Sequence, residues 1–118
     1  MSKMLPKTNR LKKKKDFENV FKHGKGARGS FLALKFVKNG RKESRFGFIV
    51  SQKVSRYAVK RNKVKRRLRS VISSSSSLIK PGLDVAIITF SGIEDKTFQE
   101  TKDILFKLLK DAKCLSLS

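Results

Sequence analysis

The sequence predicts an α+β fold in which helices pack against a single β-sheet. Three observations support this prediction. Apolar residues recur at helical spacing in three segments, two or three segments after the first helix look like strands, and one more strand-like segment separates the last two helices. The chain has 118 residues, of which 38% are hydrophobic, which is enough for one modest core. We therefore assign one domain to residues 16–113, preceded by a basic arm at 1–15 and followed by a short tail at 114–118.

The first predicted helix covers residues 16–22. Phe17, Val20 and Phe21 are spaced i, i+3 and i+4, so they share one helix face. Asp16 lies at the beginning of the segment, where the helix dipole favours an acidic side chain. The glycines that follow position 23 end the helix.

Two strands are predicted next, at residues 31–38 and 45–51. The second strand alternates Phe46, Phe48 and Val50 on one face with smaller or polar residues on the other. The dipeptide Asn39-Gly40 is a turn signal between the two strands. The sequence does not decide whether the glycine-rich stretch 24–29 forms another short strand.

A long helix is predicted from about residue 57 to residue 72, and we expect the serine run at 73–77 to fray because serine is a poor helix former. Its apolar residues fall on one arc at 100° per residue, and that arc is expected to dock on the sheet. The residues of this arc are Tyr57, Val64, Leu68, Val71 and Ile72.

The last two elements are a strand and a helix. Residues 84–91 form a nearly continuous apolar run, which is typical of a strand covered on both faces. Thr97 and Glu100 have the spacing of a capping box at the start of a helix. The helix that follows carries an apolar stripe made of Phe98, Thr101, Leu105, Leu108 and Ala112.

The composition indicates a polyanionic partner. The chain has 30 Lys and Arg against 9 Asp and Glu, a formal net charge of +21, and such a surface is suited to a nucleic acid or an anionic membrane. We expect no membrane partner, because no segment approaches the roughly 20 apolar residues of a transmembrane helix. We expect a cytoplasmic location, because residues 1–7 lack the apolar region of a secretory signal and the one cysteine, Cys114, has no partner within the chain. Nothing in the sequence indicates an obligate protein partner.

The long helix carries the strongest functional signal. No acidic residue occurs between Glu43 and Asp84, whereas eleven Lys and Arg residues fall in that interval. Pairs such as Arg61/Lys65 and Lys65/Arg69 repel each other across one helical turn, at a cost of a few tenths of a kcal/mol each, and phosphate groups would relieve this repulsion. A solvated basic face is the alternative interpretation, and we consider it the weaker one.

The segment AVKRNKVKRRLR at residues 58–69 resembles the RNR signature of bacterial ribonuclease P proteins, A-V-x-R-N-x-x-K-R-x-x-R. Three further segments resemble the same family: the opening "RL…DF…VF" at residues 10–21, the strand FGFIVSQK at 46–53 and the run DVAII at 84–88. The pair Gln52-Lys53 departs from the usual Lys-Lys of this family and removes one cation. The similarity extends over nearly the whole chain.

The resemblance implies an α-β-β-β-α-β-α sandwich with one four-stranded sheet and an uncommon left-handed βαβ crossover, similar to the second domain of a small-subunit ribosomal protein. It also implies a function. The chain would be the protein subunit of a ribonucleoprotein whose RNA subunit removes the 5′ leader from precursor tRNA, leaving a 5′ phosphate. The implied partners are ribonuclease P RNA and precursor tRNA, and the RNA subunit would be required for activity.

Site residues follow from the resemblance in three groups. The contacts to the catalytic RNA would be made by Arg61, Asn62, Lys65, Arg66, Arg69, Lys53, Lys60 and Arg67. The single-stranded leader would lie in a cleft formed by Phe17, Phe21, Phe31, Leu34 and Phe36. Without the resemblance, ordinary core packing is the favoured role for Phe17 and Phe21, and the other three residues raise the same question. Leu34 stands where some relatives have tyrosine, which puts a polar leader contact there in doubt. The basic arm is either disordered or an ordered RNA contact, and in the second case Arg10, Lys12 and Lys13 would make an auxiliary contact.

We expect no catalytic and no metal-ligating residue in this chain. The acidic residues are scattered, and the one histidine, His23, lies beside a glycine-rich turn, so the sequence lacks the constellation that a protein nuclease needs. We expect Mg²⁺ to be bound mainly by the RNA subunit. The alternatives are a basic ribosomal or RNA-assembly protein, a DNA-binding protein and, least favoured, an independent nuclease.

Overall fold

A computed structural model describes residues 7–116. The α-helices and strands are, in chain order, α1 Lys14–His23, β1 Lys25–Arg28, β2 Leu32–Lys38, β3 Arg45–Ile49, α2 Ala58–Ser75, β4 Leu83–Thr89 and α3 Phe98–Asp111. Three short 3₁₀ helices lie at Lys7–Asn9, Ser76–Leu78 and Ile93–Asp95. This order confirms the predicted α-β-β-β-α-β-α arrangement. The sequence left open whether a strand follows the first helix, and β1 is that strand.

The four strands form one sheet in the order β1-β2-β4-β3. β2 runs antiparallel to β1 and β4, and β3 runs parallel to β4. The parallel pair is joined by the crossover that contains α2. The left hand predicted for this crossover stays a prediction.

Two boundaries differ from the predicted ones. The helix does not end before the serine run, since α2 continues to Ser75. Ser75 is buried, and the Ser74 hydroxyl donates to the Val71 carbonyl at 3.0 Å. Tyr57 precedes the first turn of α2 and is 52% exposed, so its predicted place in the docking arc is wrong. The remaining members of that arc are buried as predicted.

The sheet has helices on both faces. α2 and α3 cover one face, where the main core contains Leu68, Ile72 and Leu105 from the helices and Leu34 and Ile87 from the strands. On the other face α1 contributes Val20 to a smaller cluster with Leu11 and Ala86. β4 is therefore buried over nearly its whole length, as its apolar run predicts.

The capping box of α3 is formed as predicted, since the Thr97 hydroxyl accepts from the Glu100 N–H and the Glu100 carboxylate accepts from the Thr97 N–H. That backbone hydrogen bond lowers the pKa of Glu100 from its ordinary value. The apolar stripe is confirmed at Thr101, Leu105 and Leu108, whereas Phe98 in the first turn is 43% exposed.

An ion-pair network fastens α1 to the sheet. The Arg45 guanidinium donates to both carboxylate oxygens of Asp84, from Nε at 2.8 Å and from Nη2 at 2.6 Å. Its Nη1 lies 3.4 Å from the carboxylate of Asp16 in α1. Asp84 also accepts from the Asn39 side chain at 2.9 Å. The hydrogen bond to Asp84 raises the pKa of Arg45 above its ordinary value, so this cation is permanent.

The segments outside the predicted domain boundaries pack against the domain where the structure describes them. Leu11 is 4% exposed, and its N–H donates to the Phe46 carbonyl at 2.9 Å. At the other end Cys114 is fully buried, and Leu115 bridges to Ile79. The first six residues of the predicted arm and the last two of the tail lie outside the described residues.

Burial makes Cys114 unreactive, which gives a first prediction. Desolvation raises the pKa of its thiol to about 11 from 9.0. At pH 8 the thiolate fraction is therefore about 100-fold below that of an ordinary cysteine. We expect iodoacetamide to label the native protein at least that much more slowly than the urea-unfolded protein, as measured by mass spectrometry. Equal rates would show that this end of the chain is open in solution.

Candidate nucleic-acid interface

The outer face of α2 presents one continuous basic surface. An open depression on this face is lined by Val59, Asn62, Lys65, Arg66 and Arg69. We call these five residues the α2 surface. Asn62 and Arg66 are exposed, Lys65 and Arg69 are half-buried along the border of the docking stripe, and Val59 is 77% exposed. Four of the eight residues predicted to contact the catalytic RNA are thus brought together at one place.

The charge of the α2 surface is not neutralised within the protein. In the described part of the chain the ion pairs join Lys14 to Glu18 and Arg45 to Asp16 and Asp84, so none involves a cation of α2. The Asn62 side chain is exposed and makes no hydrogen bond to any residue within 7–116. The surface therefore has cations for phosphate groups and a free amide that offers both a donor and an acceptor.

Two of the predicted contacts are engaged by the protein itself. Arg61 donates from Nη1 to the Ser55 carbonyl at 2.9 Å, which ties the first turn of α2 to the preceding loop. Arg67 donates to the Lys96 carbonyl, which ties α2 to the loop before α3. Lys53 and Lys60 are exposed and lie outside the α2 surface.

The face of the sheet that carries α1 has an uncovered part. The strand register places Arg28, Ala33, Lys35 and Ile88 on this face, and with Phe90 they line an open depression of about 400 Å³. We call it the sheet cleft. Its volume lies within the roughly 300–1,000 Å³ of small-molecule sites, so it has room for a nucleobase. The Arg28 guanidinium stacks 4.7 Å from the centre of the Phe90 ring.

The two predicted phenylalanines of α1 lie on the same face of the sheet as this cleft. The rings of Phe17 and Phe21 stack with their centres 6.5 Å apart. Phe17 lies over Gly47 of β3, where an added Cβ would be 2.2 Å from its ring, so glycine is required for this packing. Phe21 is 36% exposed, and its carbonyl accepts from the Lys35 ammonium at 3.3 Å, which joins α1 to the cleft.

The other three predicted cleft residues belong to the main core or pack against it. Leu34 is 1% exposed and belongs to the main core under α2 and α3, and Phe31 and Phe36 pack against the same core. Phe31 and Phe36 therefore lie with the main core and away from Phe17 and Phe21, whereas Leu34 also lines the sheet cleft, so its assignment to a cleft stays a prediction. Successive side chains of a strand point to opposite faces, so the residue of β2 that enters the cleft is the neighbouring Lys35.

Sequence reasoning missed Arg28, Lys35 and Phe90 as members of the cleft. The alternation of Leu32 and Leu34 with Ala33 and Lys35 was the available signal, because the residues between two buried leucines face the opposite side. Arg28 and Phe90 gave no such signal, since their proximity depends on the pairing of β1, β2 and β4.

The basic arm contributes partly exposed cations. Lys12 and Lys13 are exposed, and Arg10 forms a bridge to Phe46 at the edge strand β3. This segment therefore begins on the sheet and leads into α1, on the face that carries the cleft.

Four acidic residues have structural roles in the described part of the chain. Asp16 and Asp84 hold Arg45, Glu100 completes a helix cap, and Glu94 accepts from the Gly92 N–H at 2.6 Å. Within residues 7–116, no group of three or more His, Cys, Asp or Glu side chains could hold a metal ion. In the same range, no helix combines the length and apolarity that crossing a bilayer requires.

The comparisons with known proteins agree with this geometry. A family model described as Ribonuclease P matches residues 5–113. The chain is 37% identical over 113 residues to the Ribonuclease P protein component of a Pseudanabaena species, covering 95% of this chain and 97% of that one. It is 48% identical over 85 residues to the protein of the same description from a Synechocystis species, covering 71% and 68%.

Solved structures show the same fold. The RNase P protein of Staphylococcus aureus superposes with a TM-score of 0.84 at 29% identity, over 92% of this chain and 98% of that one. The RNase P protein of Thermotoga maritima gives a TM-score of 0.79 at 31% identity, over 86% and 96%. With the family model covering nearly the whole chain and a basic helix face that carries the family's signature residues, this chain belongs to the ribonuclease P protein family.

Proposed function

We propose that the chain uses two surfaces for two RNAs: the α2 surface for the catalytic RNA, and the sheet cleft with Phe17 and Phe21 for the 5′ leader of precursor tRNA. The proposal starts from family membership, which makes the chain the protein subunit of an endoribonuclease that acts in tRNA processing. The observation that carries it is the α2 surface, where Asn62, Lys65, Arg66 and Arg69 meet without a neutralising acid from the described residues.

The leader proposal rests on the chemistry of the cleft. An unpaired strand offers base faces and phosphates. The cleft supplies the Phe90 ring and the cations of Arg28 and Lys35, and α1 adds the rings of Phe17 and Phe21 on the same face of the sheet. Stacking on aromatic rings is worth about 1–3 kcal/mol per base and tolerates every sequence. Such a site suits an enzyme that processes many different precursors.

In this proposal the protein positions and neutralises RNA, while the catalytic centre and most of the Mg²⁺ belong to the RNA subunit. What supports it is the use of the described acids as ion-pair, cap and turn partners. The residues of this chain would lower the electrostatic cost of bringing two polyanions together. We place this activity in the cytoplasm, where precursor tRNA is processed.

Reconstitution tests the proposal. The protein is mixed with a bacterial ribonuclease P RNA and precursor tRNA at low Mg²⁺, and each component is omitted in turn. We expect efficient cleavage to a 5′-phosphorylated tRNA only when both protein and RNA are present. Cleavage by the protein alone would overturn the assignment of catalysis to the RNA. Binding of the RNA without any gain in cleavage would favour a ribosomal or assembly role.

The leader site is tested by replacing Phe21 with alanine. We expect affinity for leader-bearing precursor to fall by about 1–3 kcal/mol per stacked base, with little change for mature tRNA, measured by filter binding to the holoenzyme. Phe98→Ala is the matched control, because Phe98 is 43% exposed against 36% for Phe21 but lies at the start of α3. Equal losses for precursor and mature tRNA would assign Phe21 a structural role.

A further inference from the structure

Tyr57 is a large aromatic side chain with no structural role of its own. It is 52% exposed and precedes the first turn of α2, where its side chain makes no capping hydrogen bond. It belongs to neither hydrophobic core cluster of the described residues. Neither burial nor helix capping therefore accounts for a tyrosine at this position.

Two cations lie close to the Tyr57 ring. The Arg56 guanidinium carbon lies 5.0 Å from the ring centre, and the Lys60 ammonium lies 5.6 Å from it. Arg56 also donates from Nη2 to the Tyr57 hydroxyl at 2.8 Å, which fixes the ring relative to the guanidinium. Arg56 and Lys60 are exposed, and neither forms an ion pair with an acid among residues 7–116. The result is a half-exposed ring with two unneutralised positive charges beside it.

This cluster is continuous with the α2 surface along the chain. Lys60 lies in the first turn of α2, and Asn62 follows two residues later. The cluster adds an aromatic ring, which the α2 surface lacks, because the apolar residue of that surface is the aliphatic Val59. An aromatic ring offers a stacking partner to a base, and the neighbouring cations offer contacts to its phosphates.

We propose that Arg56, Tyr57 and Lys60 form a stacking site for one unpaired nucleotide of an RNA bound to the start of α2. The nucleotide must be unpaired, because a base inside a duplex has both faces covered by its neighbours. The base stacks on the Tyr57 ring, and the cations of Arg56 and Lys60 contact the adjacent phosphates. This inference rests on the proposed function only in requiring that the chain binds RNA.

The test uses the fact that Tyr57 is the one tyrosine of the chain, which also has no tryptophan. Protein labelled with 3-fluorotyrosine therefore gives a single ¹⁹F resonance, which reports on this ring alone. We expect an upfield ring-current shift of that resonance when RNA is added to saturation. Separate titrations with the ribonuclease P RNA and with precursor tRNA identify which RNA supplies the nucleotide.

Variants separate stacking from charge. Tyr57→Leu should weaken binding to the RNA that shifts the resonance by about 5- to 150-fold with an unchanged salt slope, whereas Tyr57→Phe should retain most of the affinity. Arg56→Ala should instead lower the salt slope by about 0.7–0.9, as expected for one lost phosphate contact. These outcomes together would support the proposal.

An unmoved resonance at saturation, or wild-type affinity for Tyr57→Leu, would overturn the inference while leaving the proposed function intact. Absence of binding to both RNAs would overturn the proposed function itself. Circular dichroism of each variant, compared with the wild type, shows that any loss arises in the folded protein.

Discussion

Replacement of Asp84 by alanine should lower the free energy of unfolding by about 3–5 kcal/mol, the usual cost of removing one partner of a buried ion pair. Asp84 is 3% exposed and accepts two hydrogen bonds from Arg45 and one from Asn39. In the variant, the largely buried Arg45 guanidinium keeps only its contact to the Asp16 carboxylate, at 3.4 Å. A domain of this size has a total stability of about 5–15 kcal/mol, so this single change removes a large part of it.

Urea unfolding followed by far-ultraviolet circular dichroism measures this effect. The matched control is Glu18→Ala, which removes an exposed ion pair with Lys14 at 3.9 Å and should cost less than about 1 kcal/mol. A similar small loss for Asp84→Ala would contradict the prediction and show that water replaces the carboxylate at Arg45.

The same substitution should also disturb the proposed leader site. Arg45 joins β4 to α1 through Asp84 and Asp16, and α1 carries Phe17 and Phe21. A weaker anchor allows α1 to move away from the sheet. We therefore expect the folded Asp84→Ala protein to lose affinity for the leader more than affinity for the catalytic RNA, whose proposed site is on α2.

Replacement of Lys65, Arg66 and Arg69 together by alanine should weaken binding to the catalytic RNA by about 100-fold at physiological salt. Each lost phosphate contact lowers the salt slope of binding by about 0.7–0.9, so three contacts lower it by about 2–3. All three residues line the α2 surface, and no ion pair of the described residues neutralises them. Filter binding at several salt concentrations gives both the affinity and the slope.

A control with the same change in net charge decides whether position matters. Lys42, Lys107 and Lys110 are exposed and lie outside α2, in the β2–β3 loop and on α3. Their triple replacement by alanine should leave the slope almost unchanged. If both triple variants bind equally weakly, then overall charge alone drives binding and the α2 surface is not a specific site.

Much of the architecture was predictable because local patterns and long-range packing agree. The amphipathic spacing of α1, the continuous apolar run of β4 and the capping box of α3 each identify an element without reference to any other. The basic α2 surface was predictable for the same reason, since Asn62, Lys65, Arg66 and Arg69 share one helix face by spacing alone.

The cleft was less predictable, because it is built from strands that are distant in sequence. Phe36 and Leu34 share the apolar character of Phe17, and the alternation along β2 shows that Leu34 and Lys35 face opposite sides without showing which side carries the cleft. The register of β2 with β4 decides this, and it turns Lys35 rather than Leu34 toward α1.

By itself the sequence determined the class of fold, the order of its elements, the large positive charge and the helix that carries much of it, because periodicity and charge are properties of the chain. The tertiary structure decided which side chains remain available. It directs Arg61 and Arg67 to backbone carbonyls, buries Leu34 and leaves Tyr57 half-exposed beside two cations. The physical reason is that exposure and hydrogen-bond partners depend on how elements pack, and packing joins residues that no local pattern relates.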